Sequence, residues 1–286
     1  MKIGIGIPTQ VRDMDAAVIP RWAARAEEAG FSTLATIGRI AYPGVMDTVA
    51  LAGAAAATQR IGLSSNVMLS TVWPAPLLAK ELAGIDGMSG GRLTVGLGIG
   101  GDRPDDFVAD GLVPRGLGKR MDSDLETFHR IWGGEPVGGG VNPAVPATTR
   151  RIPLLFGGMA PPSFKRMAKW GDGYVGGGLP AATIEPMFES ARDAWRDAGR
   201  EGSPKLVAIA YFVFGDVDKG RANVRDYYAA VGDEFADTIA QSVHVGADGV
   251  RKVIESFDAI GADELILHPT VDDVDEVGKL ADAALR

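Results

Sequence analysis

The sequence alternates short apolar runs with amphipathic stretches along most of its 286 residues. The runs have the length of β-strands, and the stretches between them repeat apolar residues at helical spacing. The predicted strands are Lys2–Ile7, Phe31–Ile37, Ile61–Leu69, Arg92–Leu97, Ile152–Phe156, Tyr174–Val175, Lys205–Phe214 and Glu264–Leu267. The predicted helices are Met14–Ala29, Met46–Ala57, Ala75–Met88, Met121–Trp132, Pro162–Lys169, Ile184–Ala198, Arg221–Val231, Val250–Ile260 and Val274–Leu285. Strands that alternate with helices pair in parallel, and eight of them close a barrel, so we predict one α/β barrel domain over residues 1–286.

Two segments interrupt the alternation and are predicted to be insertion loops. Residues 102–120 are polar and charged, whereas residues 133–151 are rich in Gly, Pro, Ala and Thr. Insertions of this length are typically lids or disordered segments, and both interpretations stay open. Neither segment has the composition of a linker between two separate cores.

Composition excludes several classes of protein. The sequence has no cysteine, which excludes disulfides and thiolate metal sites and is typical of a reducing cytoplasm. Its net charge of −8 argues against nucleic acid or an anionic membrane as partner. No apolar run approaches the roughly 20 residues that span a bilayer, and the N-terminus enters a strand without a secretory signal. We therefore expect a soluble cytoplasmic protein that acts on a small molecule.

Apolar runs in three segments end in small or polar residues. The segments are Arg60–Leu69, Gly90–Gly101 and Ile152–Pro161, and Gly176–Gly178 follows a further strand. Small residues at the carboxyl ends of barrel strands allow a large flat ligand to contact the backbone. These strand ends lack the His, Asp and Glu ligands of a catalytic metal, so we expect no metal site. The pattern favours a site for a planar organic ligand.

The segment Gly96–Gly101 matches the G-x-G-x-x-G pattern of dinucleotide-binding folds. A true fingerprint opens a helix and is followed, about 20 residues later, by an acidic residue at the end of a second strand. Here Asp102–Asp106 contains a proline, and the predicted helix Met121–Trp132 stands in place of that strand. We therefore reject a dinucleotide-binding fold. The glycines either turn the chain or clear space over a flat ring.

A phosphate site is predicted just after Phe156, where a strand meets its helix. Gly157–Gly158 permits unusual backbone angles, and Pro161–Pro162 lies in the first helical turn, where a missing N–H costs nothing. The remaining free amides would point at an anion, and Lys165 and Arg166 could add positive charge. A plain strand-to-helix connector has the same composition and stays open as the alternative.

Several motifs together resemble those of the bacterial luciferase-like monooxygenases. The motifs are Lys2–Thr9, Ala26–Phe31, Leu78–Leu93, Leu155–Gly158 and Gly171–Tyr174, with Leu78–Leu93 the most specific, and the resemblance extends to Ala262–Leu267. Members of this family are TIM-barrel oxidoreductases that use reduced FMN or a deazaflavin. The resemblance thus implies a TIM barrel with insertion loops and a flavin-like cofactor.

The resemblance also implies where the cofactor and substrate bind. In this family a bulge in strand three, often with a cis peptide, supports the flavin ring, and the matching peptide here is Asn66–Val67. The residues implied to contact the cofactor are Asn66, Val67, Gly98, Gly100, Gly157, Gly158, Met159, Ala160, Gly176, Gly177 and Gly178. The substrate face would open toward Pro8, Thr9, Trp73 and the loop that begins at Asp102.

One departure from the family pattern affects the catalytic residues. Many relatives end strand two with an Asp-His pair, whereas this chain has Gly38 and Arg39 there. An arginine cannot exchange a proton near pH 7, so Arg39 either holds an anionic substrate or reduced flavin or is an ordinary surface residue. Of the histidines, His129 is predicted in a helix and His244 in a connector. Only His268, at the end of the last strand, is placed where a barrel puts its chemistry.

The resulting functional hypothesis is an oxidoreductase that uses reduced FMN and O2 on a small organic substrate. The alternatives are hydride transfer with a deazaflavin (coenzyme F-420) and a non-catalytic flavin-binding barrel. A separate flavin reductase is the expected protein partner. The resemblance further implies a homodimer formed through the helices Met46–Ala57 and Ala75–Met88. A metal-dependent hydrolase and a serine acyl transferase are disfavoured, since neither metal ligands at strand ends nor a G-x-S-x-G motif is present.

Overall fold

The computed structural model describes residues 1–100, 103–109 and 111–286. Its strands are β1 (Lys2–Gly6), β2 (Thr33–Thr36), β3 (Gly62–Leu69), β4 (Leu93–Gly98), β5 (Leu154–Phe156), β6 (Gly173–Val175), β7 (Lys205–Val213), β8 (His244–Val245) and β9 (Glu264–Pro269). Its helices are α1 (Val18–Ala29), α2 (Asp47–Ala57), α3 (Ala75–Met88), α4 (Pro104–Ala109), α5 (Leu117–Trp132), α6 (Pro161–Trp170), α7 (Ala181–Asp197), α8 (Val217–Tyr228), α9 (Asp233–Gln241), α10 (Gly246–Ala259) and α11 (Asp275–Ala284). Short 3₁₀ turns lie at Ser70–Val72 and Ala229–Val231.

The strands form a closed parallel barrel. Strands β1 to β6 pair in chain order, β6 pairs with β7, β7 with β9, and β9 with β1, which closes a ring of eight. The two-residue strand β8 lies outside the ring and pairs with the end of β7. The predicted eight-stranded α/β barrel is therefore confirmed.

The helices surround the barrel because each buries one apolar face against it. Trp22 on α1, Leu125 on α5 and Phe188 on α7 are fully buried in the layer between helices and sheet. Between α1 and β2 the chain turns at Gly30, whose φ of 94° is the left-handed conformation that favours glycine. No helix in the described part of the chain is long and apolar enough to cross a membrane.

The structure differs from the sequence prediction in three places. The segment 102–120, predicted to be a loop, contains α4 and the first turn of α5, while Asp102 itself lies outside the described residues. Helix α9 was not predicted. His244, predicted in a connector, lies in β8. The segment 133–151 is irregular as predicted, with one isolated bridge between Pro136 and Pro143.

The core of the barrel continues into a layer that covers one end of it. Val207 and Ile209 on β7 and Ile266 on β9 belong to the same buried cluster as Tyr227 on α8 and Ile239 on α9. Helices α8 and α9 are thus packed over the carboxyl ends of the strands, where barrel enzymes have their active sites.

Candidate active site

A pocket opens at the carboxyl ends of the strands. Residues 66–67 and 98–100 form its floor. Two glycine-containing turns, at 157–159 and 176–178, form one end of the pocket. We call these turns, with Ala160, the glycine end. The opposite end is formed by Tyr227 and Tyr228 on α8 and Phe235 and Ile239 on α9, which we call the aromatic end.

The floor is a bulge in β3. The pairing of β3 with β4 shifts register between Ser65 and Met68, and the Asn66–Val67 peptide is cis, as the family resemblance implied. The bulge turns the side chain of Val67 into the pocket, where it is part of the floor. The backbone geometry predicted for this strand is therefore confirmed, while contact with a cofactor stays a prediction.

The glycines beside the bulge make room for it. A Cβ atom on Gly98 would lie 2.7 Å from Cγ2 of Val67, and one on Gly157 would lie 3.2 Å from Cγ1. A Cβ atom on Gly100 would lie 3.1 Å from Leu69. The sequence interpretation, that bare backbone at these strand ends makes direct room for a flat ring, is therefore incomplete. At Gly98 and Gly157 the space is taken by Val67, and the free surface above it is apolar side chain.

Gly177 differs from these glycines. A Cβ atom built on it meets nothing within 4 Å, so the space beside it is open. A Cβ atom on Gly176 would meet Ile184, and one on Gly178 would meet Tyr211. Of the three glycines after β6, only Gly177 therefore has free space where a side chain would be.

The glycine end has several backbone amides without partners. The amide of Gly157 donates to the carbonyl of Leu97 at 3.0 Å and belongs to the sheet. The amides of Gly158, Met159 and Ala160 donate no hydrogen bond within the described residues. Those of Gly177 and Gly178 are likewise unbonded in this part of the structure. Unpaired amides just before a helix form a common site for a phosphate.

The two cations predicted to support this site do not face the pocket. Arg166 is buried and donates from Nε to Oδ1 of Asp122 at 2.5 Å, so it joins α6 to α5. Lys165 is exposed and is not among the residues that line the pocket. The glycine end therefore offers backbone amides without a side-chain cation from α6.

The aromatic end combines two tyrosine rings with the guanidinium of Arg103, which also lines the pocket. The guanidinium of Arg103 lies 5.1 Å from the ring centre of Tyr227 and 5.2 Å from that of Tyr228. The hydroxyls of Tyr228 and Tyr211 are 2.7 Å apart. Burial raises the pKa of Tyr227, so its phenol keeps its proton at neutral pH. Such a phenol can donate a hydrogen bond to an oxygen of a substrate.

Arg39 is neither a surface residue nor presented to the pocket. Its Nε donates to Oδ2 of Asp106 at 3.2 Å, and its terminal nitrogens bond Asp105 and the carbonyl of Tyr227. Asp106 is fully buried and also accepts from the amide of Ala41 at 2.7 Å. Arg39 therefore fixes α4 to the segment after β2. The interpretation of Arg39 as an ordinary surface residue is wrong, while its contact with an anionic substrate or reduced flavin stays a prediction.

The two residues predicted to meet the substrate do not line the pocket. Thr9 is buried, and its hydroxyl donates to the carbonyl of Ile37 at 2.8 Å, which ties β1 to the end of β2. Trp73 packs against the small cluster of Val72, Phe107 and Leu117. Trp73 lines only a side chamber that adjoins the pocket, described below.

His268 lies inside the barrel, below the floor. Its ring is fully buried, and Nε2 is 3.3 Å from Nδ2 of Asn66. Burial lowers the pKa of His268 to about 3, so it is neutral at physiological pH. None of the three histidines lines the pocket as far as the structure describes it. His268 is therefore packed against the bulge and does not line the pocket, while a role in the reaction stays a prediction.

No group of three or more His, Cys, Asp or Glu residues capable of holding a metal ion occurs among residues 1–100, 103–109 and 111–286.

The residues of the aromatic end were not predicted from the sequence. The adjacent pair Tyr227 and Tyr228 was visible, but only the packing of α8 and α9 on the barrel brings it to the pocket.

A closed barrel with a β3 bulge and a pocket at its carboxyl rim defines an α/β-barrel enzyme scaffold. A model of the luciferase-like monooxygenase family matches residues 1–267. The chain therefore belongs to the luciferase-like monooxygenase family, as the resemblance implied.

Comparisons with known proteins agree with the barrel fold and do not specify a reaction. An uncharacterized protein of Mycobacterium tuberculosis is 32% identical over 170 residues, a match that covers 56% of this chain and spans only 60% of the relative's length. An F420-dependent secondary alcohol dehydrogenase, solved with an F420-acetone adduct, has a TM-score of 0.80 at 17% identity, with coverage of 99% and 98%. The oxygenating constituent of 3,6-diketocamphane monooxygenase from Pseudomonas putida, solved with FMN, has a TM-score of 0.76 at 14% identity, with coverage of 99% and 95%.

Proposed function

We propose that this protein is an oxidoreductase that binds reduced FMN in the pocket and uses it with O2 to oxygenate a small, largely apolar substrate. The observation that carries the proposal is the set of unbonded amides at the glycine end, next to a floor formed by the β3 bulge. Family membership supports an oxidoreductase. The reaction and the cofactor are inferred from the pocket.

The residues present fit a flavin with one phosphate. The amides of Gly158, Met159 and Ala160 can donate to phosphate oxygens, as can those of Gly177 and Gly178. Val67 offers an apolar surface on which a planar ring can rest. When bound, the reduced flavin supplies the electrons for the reaction, and the protein supplies binding, orientation and shielding.

The absence of a side-chain cation at the glycine end favours FMN over a deazaflavin. The tail of the deazaflavin is long and acidic and is best held by basic residues. Among the described residues that line the pocket the only cation is Arg103, which stacks on tyrosines at the aromatic end. Of the two cations expected here from the sequence, Arg166 is paired with Asp122, and Lys165 does not line the pocket. Backbone amides alone suit a single phosphate.

The chain's own residues would orient the substrate and exclude water. Apolar side chains line the pocket, including Ile99 just after β4, Met187 on α7 and Ile239 on α9. An apolar lining keeps water away from reactive groups and strengthens hydrogen bonds inside the pocket. The phenol of Tyr227 would hold its proton and donate a hydrogen bond to a substrate oxygen.

The proposal is tested by measuring dissociation constants for reduced FMN and for the reduced deazaflavin with the purified protein and two variants. Gly177→Leu puts a side chain into the open space beside the glycine end and should weaken FMN binding by at least about 100-fold. Gly140→Leu is the matched control, because Gly140 lies in the 133–151 loop, a Cβ atom there makes an ordinary contact of 3.4 Å, and the residue does not line the pocket.

Each outcome is distinct. Tight FMN binding that is lost in Gly177→Leu and kept in Gly140→Leu supports the proposal. Tighter binding of the deazaflavin than of FMN would favour the alternative function, which is hydride transfer with a deazaflavin. Binding of FMN without turnover of small aldehydes, ketones or heterocycles would indicate a non-catalytic flavin-binding barrel.

We also propose a homodimer through α2 and α3, with a separate flavin reductase supplying reduced FMN. Large apolar side chains on these helices are exposed, namely Val49, Leu77 and Met88 at 62%, 48% and 59%. Exposed apolar groups on adjacent helices are typical of a protein interface. Sedimentation equilibrium should give twice the chain mass, and Leu77→Glu should shift the protein toward monomer. A monomeric wild-type protein would contradict the dimer.

A further inference from the structure

Asp47 is the first residue of α2 and lies next to Gly38, which follows β2 and lines the pocket. A Cβ atom on Gly38 would lie 2.5 Å from Oδ2 of Asp47, so a side chain at position 38 would displace this carboxyl. Asp47 is 4% exposed, and its Oδ1 has no hydrogen-bond partner among the described residues. A buried polar atom without a partner is costly, and such groups concentrate at functional sites.

A small side chamber beside Asp47 adjoins the pocket. Asp47 lines the chamber, and Gly38 and Leu69 line both the chamber and the pocket. The chamber has room for about one water molecule. Oδ1 of Asp47 can accept a hydrogen bond from such a water, and apart from Arg39 and Trp73 the other side chains that line the chamber are apolar.

Several charged or titratable groups on neighbouring elements surround Asp47 and its chamber. They are Arg39 after β2, Arg103 before α4, Asp105 and Asp106 on α4, and Tyr227 on α8. Arg39 is bonded to both α4 carboxylates, and Asp47 forms no ion pair in the described part of the chain. The charge of Asp47 contributes to raising the pKa of Tyr227, so the carboxyl acts electrostatically on the aromatic end.

Burial without a compensating cation disfavours the charged form of this carboxyl. It raises the pKa of Asp47 to about 6, although the hydroxyl of Thr36 acts in the opposite direction. A group that changes protonation near pH 6 can both give and take a proton at physiological pH. No histidine lines the pocket in the described part of the chain, so no histidine there can exchange a proton with a ligand.

We propose that Asp47 holds the proton that the reaction consumes, in place of the Asp-His pair that Gly38 and Arg39 replace. The inference rests on the proposed function. One proton passes from Asp47 to the water in the side chamber, and that water passes one proton to an oxygen atom that gains negative charge in the pocket. The carboxylate then regains one proton from solvent. Because it acts through water, Asp47 is a positioning residue.

The first test follows the carboxyl itself in the cofactor-free protein. The protein is labelled with ¹³C at the aspartate carboxyl carbons, and its NMR signals are followed from pH 4 to pH 8. We expect one signal with a midpoint near pH 6 that is missing in Asp47→Asn and kept in Asp124→Asn. Asp124 on α5 is the matched control, because burial also raises its pKa and it does not line the pocket. An Asp47 signal with a midpoint near pH 4 overturns the inference.

The second test measures the pH dependence of the oxidation of bound reduced FMN by O2. In the wild-type protein and in Asp124→Asn the rate should fall about tenfold per pH unit above pH 6. In Asp47→Asn the rate should be at least about tenfold lower at pH 5 and independent of pH across this range. A wild-type pH profile in Asp47→Asn overturns the inference.

The two tests separate the inference from the proposed function. If neither FMN nor the deazaflavin binds, the proposed function fails, and the NMR titration alone decides whether Asp47 holds a proton. If a cofactor binds and Asp47→Asn changes nothing, the proposed function stands and the role of Asp47 is wrong.

Discussion

The glycine end and the aromatic end of the pocket differ in what they present to a ligand. The glycine end presents backbone amides, such as those of Gly158 and Gly177, whereas the aromatic end presents the rings and hydroxyls of Tyr227 and Tyr228. Backbone amides are the same in every residue, so such a site suits a ligand common to a whole family. Side chains can change without changing the fold, so the aromatic end suits a particular substrate.

The aromatic end also depends on a single buried charge cluster. Helix α4 is held to β2 by Arg39, which bonds Asp105 and the fully buried Asp106. The glycine end has no comparable dependence, because its amides belong to turns fixed by β5, β6 and α6. Substitutions should therefore affect the two ends separately.

The largest effect is expected from Arg39→Met. Removing the guanidinium leaves Asp106 buried and without its charge partner, which should lower the free energy of unfolding by about 3–5 kcal/mol. Urea unfolding measures this loss. FMN affinity should change less than about threefold, because the glycine end is untouched.

The control for Arg39→Met is Arg130→Met, which removes an exposed ion pair with Glu135. Solvent screens such an exposed pair, so its loss should lower the free energy of unfolding much less than the loss of the buried cluster. Equal losses in the two variants would mean that the buried cluster does not hold α4 in place.

Asp47→Asn should stabilise the protein, and more so at high pH. The folded protein holds the Asp47 proton more tightly than the unfolded chain, in which the pKa is about 3.9, so the wild-type protein loses stability as the pH rises through about 6. The variant has no such carboxyl and does not lose this stability. Its free energy of unfolding should exceed that of the wild-type protein by up to about 3 kcal/mol at pH 8 and should equal it at pH 4. Urea unfolding at the two pH values measures the difference, and a pH-independent effect would contradict the raised pKa.

Gly158→Ala is expected to damage the glycine end selectively. Gly158 has a φ of 111°, and a Cβ atom there would lie 2.6 Å from Oγ of Ser163, so alanine should cost about 2 kcal/mol of stability and weaken FMN binding about tenfold. Gly202→Ala provides the control, since its φ of 69° is also left-handed but its Cβ atom would meet nothing. If both variants bind FMN like the wild type, the amides of this turn do not bind the phosphate.

The smallest effect is expected from Tyr227→Phe. Loss of the hydroxyl should lower turnover of a responsive aldehyde, ketone or heterocycle about tenfold and leave the FMN dissociation constant unchanged. Tyr42→Phe is the control, because the Tyr42 hydroxyl bonds Asp226 and Tyr42 does not line the pocket. Equal turnover in the wild type and in Tyr227→Phe would contradict a hydrogen bond from the Tyr227 phenol to the substrate.

The parts of the site that could be predicted from the sequence are those formed by residues adjacent in the chain. A strand followed by Gly157–Gly158 and prolines is a local pattern, and the turn it predicts is present with unbonded amides. The cis peptide at Asn66–Val67 came from the family resemblance and not from the residues themselves. The reason given for Gly98 was incomplete, because the side chain that fills the space beside it comes from another strand.

The parts that sequence analysis missed depend on residues far apart in the chain. Arg39 meets Asp106 across 67 positions, and no local pattern indicates that pairing. Thr9 was expected at the substrate from the family resemblance, yet its hydroxyl donates to the carbonyl of Ile37. Helix α9 is short, and it completes the aromatic end only by packing on α8 and the barrel.

The decisive experiment is a crystal structure of the protein with FMN. We expect phosphate oxygens within about 3 Å of the amide nitrogens of Gly158, Met159 and Ala160, with the flavin ring against Val67. A phosphate bound elsewhere, or amides of this turn that face away from the ligand, would contradict it.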